Sequence, residues 1–74
     1  MPTIQLSMGV VLNPMVQNQV YALPYRACYV FSQGTAPTIS NDGSTFGAIP
    51  ASNIVAAAFI KSTGVDTILE LKGV

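Results

Sequence analysis

The sequence predicts an all-β fold, a small antiparallel β-sandwich or barrel of about six or seven short strands. Stretches of β-branched, aromatic and alternating apolar residues recur along the chain. Turn-forming Gly, Pro, Asn and Ser separate these stretches at spacings of about ten residues. At 74 residues the chain has room for one domain. We expect residues 19–74 to form the β-sandwich and residues 1–18 to form an N-terminal strand or an extended arm.

The clearest local signal is a β-hairpin over residues 38–46, with the sequence TISNDGSTF. The Asn-Asp-Gly turn supplies the positive φ angles that hairpins demand, and β-branched or aromatic residues flank it. A loop of two or four residues would place Ile39 opposite Phe46, whereas a loop of three would offset them. We therefore expect an even-numbered loop. The turn has a weak likeness to a calcium loop, but too few acidic residues accompany it, and Asp42 is expected to bond its own backbone.

Other stretches are also predicted to be strands, namely residues 3–12, 20–23, 26–32, 55–61 and 65–72. The strand over residues 26–32 is apolar on both faces, because Cys28 and Val30 alternate with Ala27, Tyr29 and Phe31. Both of its faces must therefore be covered. One face is expected to join the core, and the other to meet a second sheet edge, a loop or a neighbouring subunit.

Residues 54–60 are consistent with either a strand or a helix. Ser52 or Asn53 could cap a helix and the alanines favour one, whereas Phe59 and Ile60 suit a strand. We favour a strand in which Val55, Ala57 and Phe59 alternate with Ala56, Ala58 and Ile60. We expect this strand to pair antiparallel with residues 65–72, where Thr67, Leu69 and Leu71 share one face.

The composition predicts that the chain associates with other molecules. Only 8% of the residues are charged, against about 25% in ordinary soluble domains, while 50% are hydrophobic and the mean hydropathy is +0.49. A small domain of this kind needs disulfides, a metal or a partner for stability. One cysteine and no histidine provide neither an internal disulfide nor a zinc ligand set. Partner chains are therefore the expected source of stability.

The composition also argues against several functions. We expect no enzyme and no cofactor, because histidine is missing and the three carboxylates are not spaced as an acid–base pair. Cys28 lies among apolar residues with no base nearby and is interpreted as a packing residue. A net charge of zero predicts no binding to nucleic acid or to acidic membranes. The longest apolar run, residues 54–60, is far short of the roughly 20 residues that span a bilayer.

Aromatic residues near Pro24 form a candidate interface. Three tyrosines recur around this proline, and the only arginine lies among them. Tyrosine and arginine are enriched at the energetic centres of interfaces. Phe31 and Ile60 are added from the two predicted strands that are apolar on both faces. The predicted interface residues are therefore Tyr21, Tyr25, Arg26, Tyr29, Phe31 and Ile60. The alternative is that Tyr29 is partly core and that Tyr21 and Tyr25 line the rim of a sheet.

Several segments together resemble the capsid decoration, or cement, proteins of tailed bacteriophages: VYALP (20–24), RACYVF (26–31), ISNDGSTF (39–46), AFIKS (58–62) and ILELK (68–72). This resemblance implies a structural protein on the capsid surface of a virion, made in the host cytoplasm. Its partners would be the major capsid protein and further copies of the chain, as a trimer rather than a dimer. The hairpin is also similar to one in discoidin-type carbohydrate-binding sandwiches. That similarity implies a small sugar-binding or cell-surface-binding module of a phage tail fibre as the alternative.

Overall fold

In a computed structural model that describes residues 2–24 and 28–73, the chain forms nine short strands and no helix. The predicted all-β fold is confirmed, with more and shorter strands than we expected. The strands are β1 (Ile4–Gln5), β2 (Val11–Leu12), β3 (Tyr21–Ala22), β4 (Cys28–Gln33), β5 (Thr38–Ser40), β6 (Gly47–Ala48), β7 (Ile54–Val55), β8 (Phe59–Lys61) and β9 (Ile68–Gly73).

The strands form two sheets that enclose one core. The five-stranded sheet has the order β1-β3-β8-β5-β6, in which β1 is parallel to β3 and all other neighbours are antiparallel. The four-stranded sheet has the antiparallel order β2-β9-β4-β7. Tyr21 and Ile60 of the first sheet share a hydrophobic cluster with Val30, Leu69 and Leu71 of the second. The chain is therefore a small β-sandwich.

The first part of the chain contributes strands to both sheets. β1 pairs with β3 in one sheet, and β2 pairs with β9 in the other. Met15, which lies between β2 and β3 in the sequence, is buried, and its backbone N–H donates a hydrogen bond to the Thr67 carbonyl at 2.7 Å. Of the two predicted alternatives for residues 1–18, the described part of this segment forms strands rather than an extended arm.

The pairing of β4 with β9 is the longest in the molecule and follows the sequence pattern. It runs from Cys28 opposite Gly73 to Gln33 opposite Ile68. Thr67, just before β9, and Leu69 and Leu71 on it share one face, as the alternation predicted, and this face is fully buried. The hydroxyl of Thr67 donates to the Thr35 carbonyl at 2.6 Å and shares a hydrogen bond with Ser62 Oγ. These contacts satisfy a polar group that would otherwise be costly to bury.

The hairpin of β5 and β6 forms, but its predicted register is wrong. Ile39 lies opposite Gly47, so an odd number of residues separates the two partners and Phe46 has no place opposite Ile39. Side chains close the turn instead. Asp42 Oδ1 accepts the N–H groups of Ser44 at 2.8 Å and Thr45 at 2.9 Å, together with the Ser40 hydroxyl.

Two consequences follow from this turn. The backbone hydrogen bonds from Thr45 and Ser44, with the bond from Ser40, lower the pKa of Asp42 from 3.8 to about 2. Asp42 thus bonds its own turn, as the sequence predicted.

The Phe46 ring, which has no place opposite Ile39, lies against Lys61, whose ammonium nitrogen is 4.3 Å from the ring centroid.

Residues 54–61 form strands rather than a helix, as we favoured, but they form two short strands in different sheets. β7 pairs with β4, whereas β8 pairs with β3 and β5. The predicted pairing with residues 65–72 is therefore wrong, because β9 lies between β2 and β4. Residues 56–58 cross from one sheet to the other and are anchored by hydrogen bonds of Ala58 to Leu23 and Ser40.

The crossing also changes which side chains face the core. Val55 and Ala57 are buried, but on β8 it is Ile60 that is buried and Phe59 that is half-buried, so the predicted sharing of one face by Val55, Ala57 and Phe59 ends at the crossing. Ala56 and Ala58 are exposed. A change of sheet interrupts the two-residue period, so the alternation does not continue through residue 58.

Candidate functional site

The outward-facing side of the four-stranded sheet is the first candidate site. Its residues alternate with buried ones: Tyr29 with Cys28 and Val30, and Ile54 with Val55. We call this surface the outer face, and its residues are Val11, Tyr29, Phe31, Ile54, Ile68, Glu70 and Lys72. The six-residue pairing of β4 with β9 forms its centre.

Strand register arranges all of the outer face except Ile68, which lies opposite Gln33, in two rows that run across the sheet. In the first row Glu70 lies between Val11 of β2 and Phe31 of β4. In the second row Tyr29 lies between Lys72 of β9 and Ile54 of β7. Each row therefore combines one charged residue with one aromatic and one aliphatic residue. Residues directly opposite one another on adjacent strands lie close enough for their side chains to interact.

Large apolar side chains are unusually exposed on this surface. Val11 is 55% exposed, Phe31 is 46% exposed and Ile54 is 43% exposed, while Tyr29 is half-buried. Six large hydrophobic residues of the described ranges are strongly exposed, and three of them lie here. Single exposed apolar residues are ordinary, but several of them on one sheet make the outer face a candidate interaction surface.

The two charged residues of the outer face pair with each other. Lys72 Nζ lies 3.2 Å from Glu70 Oε1, on a strand where the two side chains project on the same side. Both side chains retain solvent contact, so the ion pair itself adds little to folding stability. Its effect is to give the outer face one positive and one negative charge with no net charge.

The predicted interface residues separate into three groups. Tyr29 and Phe31 lie together on the outer face, two residues apart on β4. Tyr21 and Ile60 are buried opposite each other in the five-stranded sheet, so their side chains do not reach the surface. Tyr25 and Arg26 lie outside the described residues.

Tyr21 is buried for an identifiable reason. Its ring belongs to the core, and its hydroxyl accepts a hydrogen bond from the Val16 N–H at 3.1 Å. A buried tyrosine needs such a partner for its polar end. Tyr21 therefore lies in the core and not at the rim of a sheet, which was the alternative predicted for it.

The sequence alone does not bring together the other residues of the outer face. Val11, Ile54, Glu70 and Lys72 come from three strands, and only the register of β9 with β2 and β4, and of β4 with β7, brings them together. The outward phase of Glu70 and Lys72 was visible in the alternation of residues 65–72. Their neighbours were not, because pairing partners are distant in sequence.

A shallow groove lies where the chain crosses between the sheets. Its volume is about 740 Å³, and its lining is formed by Ala22, Leu23, Pro24, Asn41, Ala56, Ala57, Ala58 and Phe59. The lining is mostly apolar, with the Asn41 amide as a polar group and the Phe59 ring as an aromatic one. Small-molecule sites commonly combine these features.

The described residues offer few other chemical features. Residues 2–24 and 28–73 include no cluster of three or more histidine, cysteine, aspartate or glutamate side chains that could hold a metal. They also include no helix with the length and apolarity to cross a membrane. Cys28 is fully buried. No family model, curated protein sequence or solved structure matches this chain.

Proposed function

We propose that this chain is a non-enzymatic structural protein of a tailed-phage virion, which self-associates and binds the outer surface of the capsid. There it would stabilise contacts between major capsid subunits. The observation that carries the proposal is the outer face, where Val11, Phe31 and Ile54 remain 43% to 55% exposed on one sheet. The resemblance of the sequence to capsid decoration proteins supplies the class of partner.

The scarcity of charge indicates how such binding would work. With 8% charged residues and no net charge, association depends on burying apolar surface rather than on long-range attraction. Covering the exposed part of one such side chain contributes about 1 kcal/mol. One copy therefore binds weakly, and firm attachment requires several linked copies on a repeating lattice.

A stabilising effect on the capsid then follows from mass action. A protein that binds the assembled lattice more tightly than its separate subunits shifts the equilibrium towards the lattice. No bond is made or broken in this mechanism. The protein acts by occupying junctions between subunits.

The test uses capsids of the virus whose genome encodes the chain, identified from a gene position beside a major capsid gene. Purified protein is added to capsids that lack it, and co-sedimentation and the temperature of capsid disruption are measured. We expect co-sedimentation and a higher disruption temperature. Phe31→Ser should weaken both effects. The control Val65→Ser alters an apolar residue that is 70% exposed but lies outside the outer face, and should behave as wild type. Failure of the wild-type chain to bind refutes the proposal.

The groove favours a second candidate function, a carbohydrate-binding or cell-surface-binding module. An aromatic ring and an amide lie together there, at Phe59 and Asn41. A glycan array tests this candidate directly. Binding that is lost in Asn41→Ala and kept in Phe31→Ser would support it over the capsid role. An array without signal for the wild-type chain would count against it.

A further inference from the structure

We infer that the outer face binds a second copy of this chain, face to face, about a two-fold axis. The inference rests on the proposed function and narrows it, because it assigns the outer face to the self-association part of that function and leaves contact with the capsid to the rest of the surface. In a two-fold contact the same surface meets itself, so each pairwise contact occurs twice. A surface suits such a contact when rotation brings unlike charges and matching apolar groups together.

The charged residues of β9 have this property. Glu70 and Lys72 flank Leu71, whose side chain points into the core. Consider a two-fold axis that lies in the plane between the two copies, runs perpendicular to β9 and passes over Leu71. Rotation about this axis reverses the strand direction, so Glu70 lies over Lys72 of the second copy. The reciprocal pair forms at the same time.

The same axis also matches the aromatic residues. Phe31 is in register with Glu70, and Tyr29 is in register with Lys72. Because the axis runs across the strands, β4 lies over β4 of the second copy, and Phe31 meets Tyr29 of that copy. Two aromatic contacts therefore flank the charges. Aromatic rings pack favourably in offset or edge-to-face pairs, which the twist between packed sheets accommodates.

Charge favours a second copy over an acidic or a basic partner. The outer face carries one positive and one negative charge, so it offers no field that would select an acidic or a basic molecule. In the two-fold arrangement each charge has one opposite charge on its own strand and another on the second copy. Neither Glu70 nor Lys72 is then buried without a partner, which is the costly arrangement for an interface.

The size of the surface sets the strength of the contact. Even if all four strands were as long as β4 and β9, six residues at about 3.4 Å each and spaced about 4.8 Å apart, they would cover only about 400 Å² of sheet per copy. Standard stable interfaces bury about 800 Å² per partner. The pair is therefore weak and forms at high protein concentration or on a surface that gathers copies. It is a dimer, where the resemblance to decoration proteins implies a trimer.

Charge reversal tests the arrangement by sedimentation velocity over a concentration series that reaches about 1 mM, the range for a weak pair. The wild-type chain should associate to a dimer as concentration rises. Glu70→Lys gives two positive charges per face and Lys72→Glu gives two negative ones, so each variant alone should associate at least about tenfold more weakly. An equimolar mixture of the two variants should form pairs again. Circular dichroism verifies that every variant is folded.

The double variant Glu70→Lys with Lys72→Glu provides the matched control. It reverses the pattern but keeps it self-complementary, so dimerisation should return. A wild-type chain that remains monomeric or forms a trimer overturns the inference, as does a mixture that fails to pair. A monomer that still binds capsids refutes this inference and leaves the proposed function standing. A dimer that does not bind capsids supports the inference and refutes the proposed function.

Discussion

The two faces of the four-stranded sheet carry similar kinds of side chain in different surroundings. On the inner face Val30, Val55 and Leu69 are no more than 1% exposed, and they pack against the other sheet. On the outer face Val11, Phe31 and Ile54 keep about half of their surface in solvent. Residue type alone therefore does not determine the role of an apolar residue here. Inner residues hold the fold together, and outer residues are available to a partner.

The largest difference between the faces is expected at Leu69, which is fully buried on β9. Leu69→Ala removes buried volume that the surrounding core can refill only in part, and should lower the free energy of unfolding by about 2–5 kcal/mol. Urea denaturation measures the loss. The neighbouring residue Ile68 faces outward and is half-buried, so Ile68→Ala should cost clearly less. Equal losses in the two variants would contradict the division into faces.

A smaller loss is expected from a polar position of the inner face. Thr67→Val preserves the shape of the side chain but removes the hydroxyl that bonds to Thr35 and Ser62. The two buried partners lose that contact, and stability should fall by about 1–3 kcal/mol. Thermal unfolding, compared with Thr63→Val at an exposed position, provides the measurement. A Thr67→Val variant more stable than wild type would show that packing outweighs this network.

The acidic residue before Thr67 allows a test by pH. The Thr35 hydroxyl, followed by the Thr35 N–H, lowers the pKa of Asp66 below 3.8, and Asp42 has a pKa of about 2. A carboxylate with a lower pKa in the folded state stabilises the fold above its unfolded pKa, and this stabilisation is lost as pH falls through the folded value. The melting temperature should therefore fall between pH about 4 and about 2. Both carboxylates are exposed, so the effect is smaller than the losses at Leu69 and Thr67.

Substitution of each aspartate separates the two contributions. Asp66→Asn and Asp42→Asn should each flatten the acid-side decline in melting temperature, and the double variant should flatten it further. An unchanged profile in both single variants would show that neither carboxylate carries the pH dependence.

The smallest effect on stability is expected on the outer face. Val11→Thr changes a residue that is 55% exposed, and should alter the free energy of unfolding by no more than about 0.5 kcal/mol. Val55→Thr makes the same chemical change at a fully buried position of the inner face and should be clearly destabilising. Urea denaturation of the pair gives the sharpest comparison of the two faces. Similar losses of stability at both positions would contradict the division of the sheet into an inner and an outer face.

The sequence predicted the features that depend on local alternation. The all-β class followed from a two-residue period, and so did the shared face of Thr67, Leu69 and Leu71, which the structure buries. The split of residues 54–61 into two strands was not visible, because alanines at positions 56–58 suit exposed and buried sites equally. Gln19 is buried although its side chain is polar. Its amide donates a hydrogen bond to the Val20 carbonyl, a contact that cannot be predicted from the sequence.

Features set by non-local contacts were harder to predict. The register of the hairpin depends on Asp42 and Ser40 side chains that close the turn, rather than on the apolar pair at Ile39 and Phe46. For the candidate site, alternation indicated the exposed side of β4, with Tyr29 and Phe31. The charged residue of each row could not be predicted in this way. It joins the row only through the pairing of β4 with β9, which brings together residues almost forty positions apart in the sequence, such as Phe31 and Glu70.

The central place of β9 has a consequence for biosynthesis. This strand separates β2 from β4 and pairs with both. While the nascent chain is still short of residue 73, neither strand has its full partner, so the four-stranded sheet closes only after translation has passed this point. Until then the emerging polypeptide displays unpaired strands to other molecules in the cell, and its need for protection from aggregation is greatest at that stage.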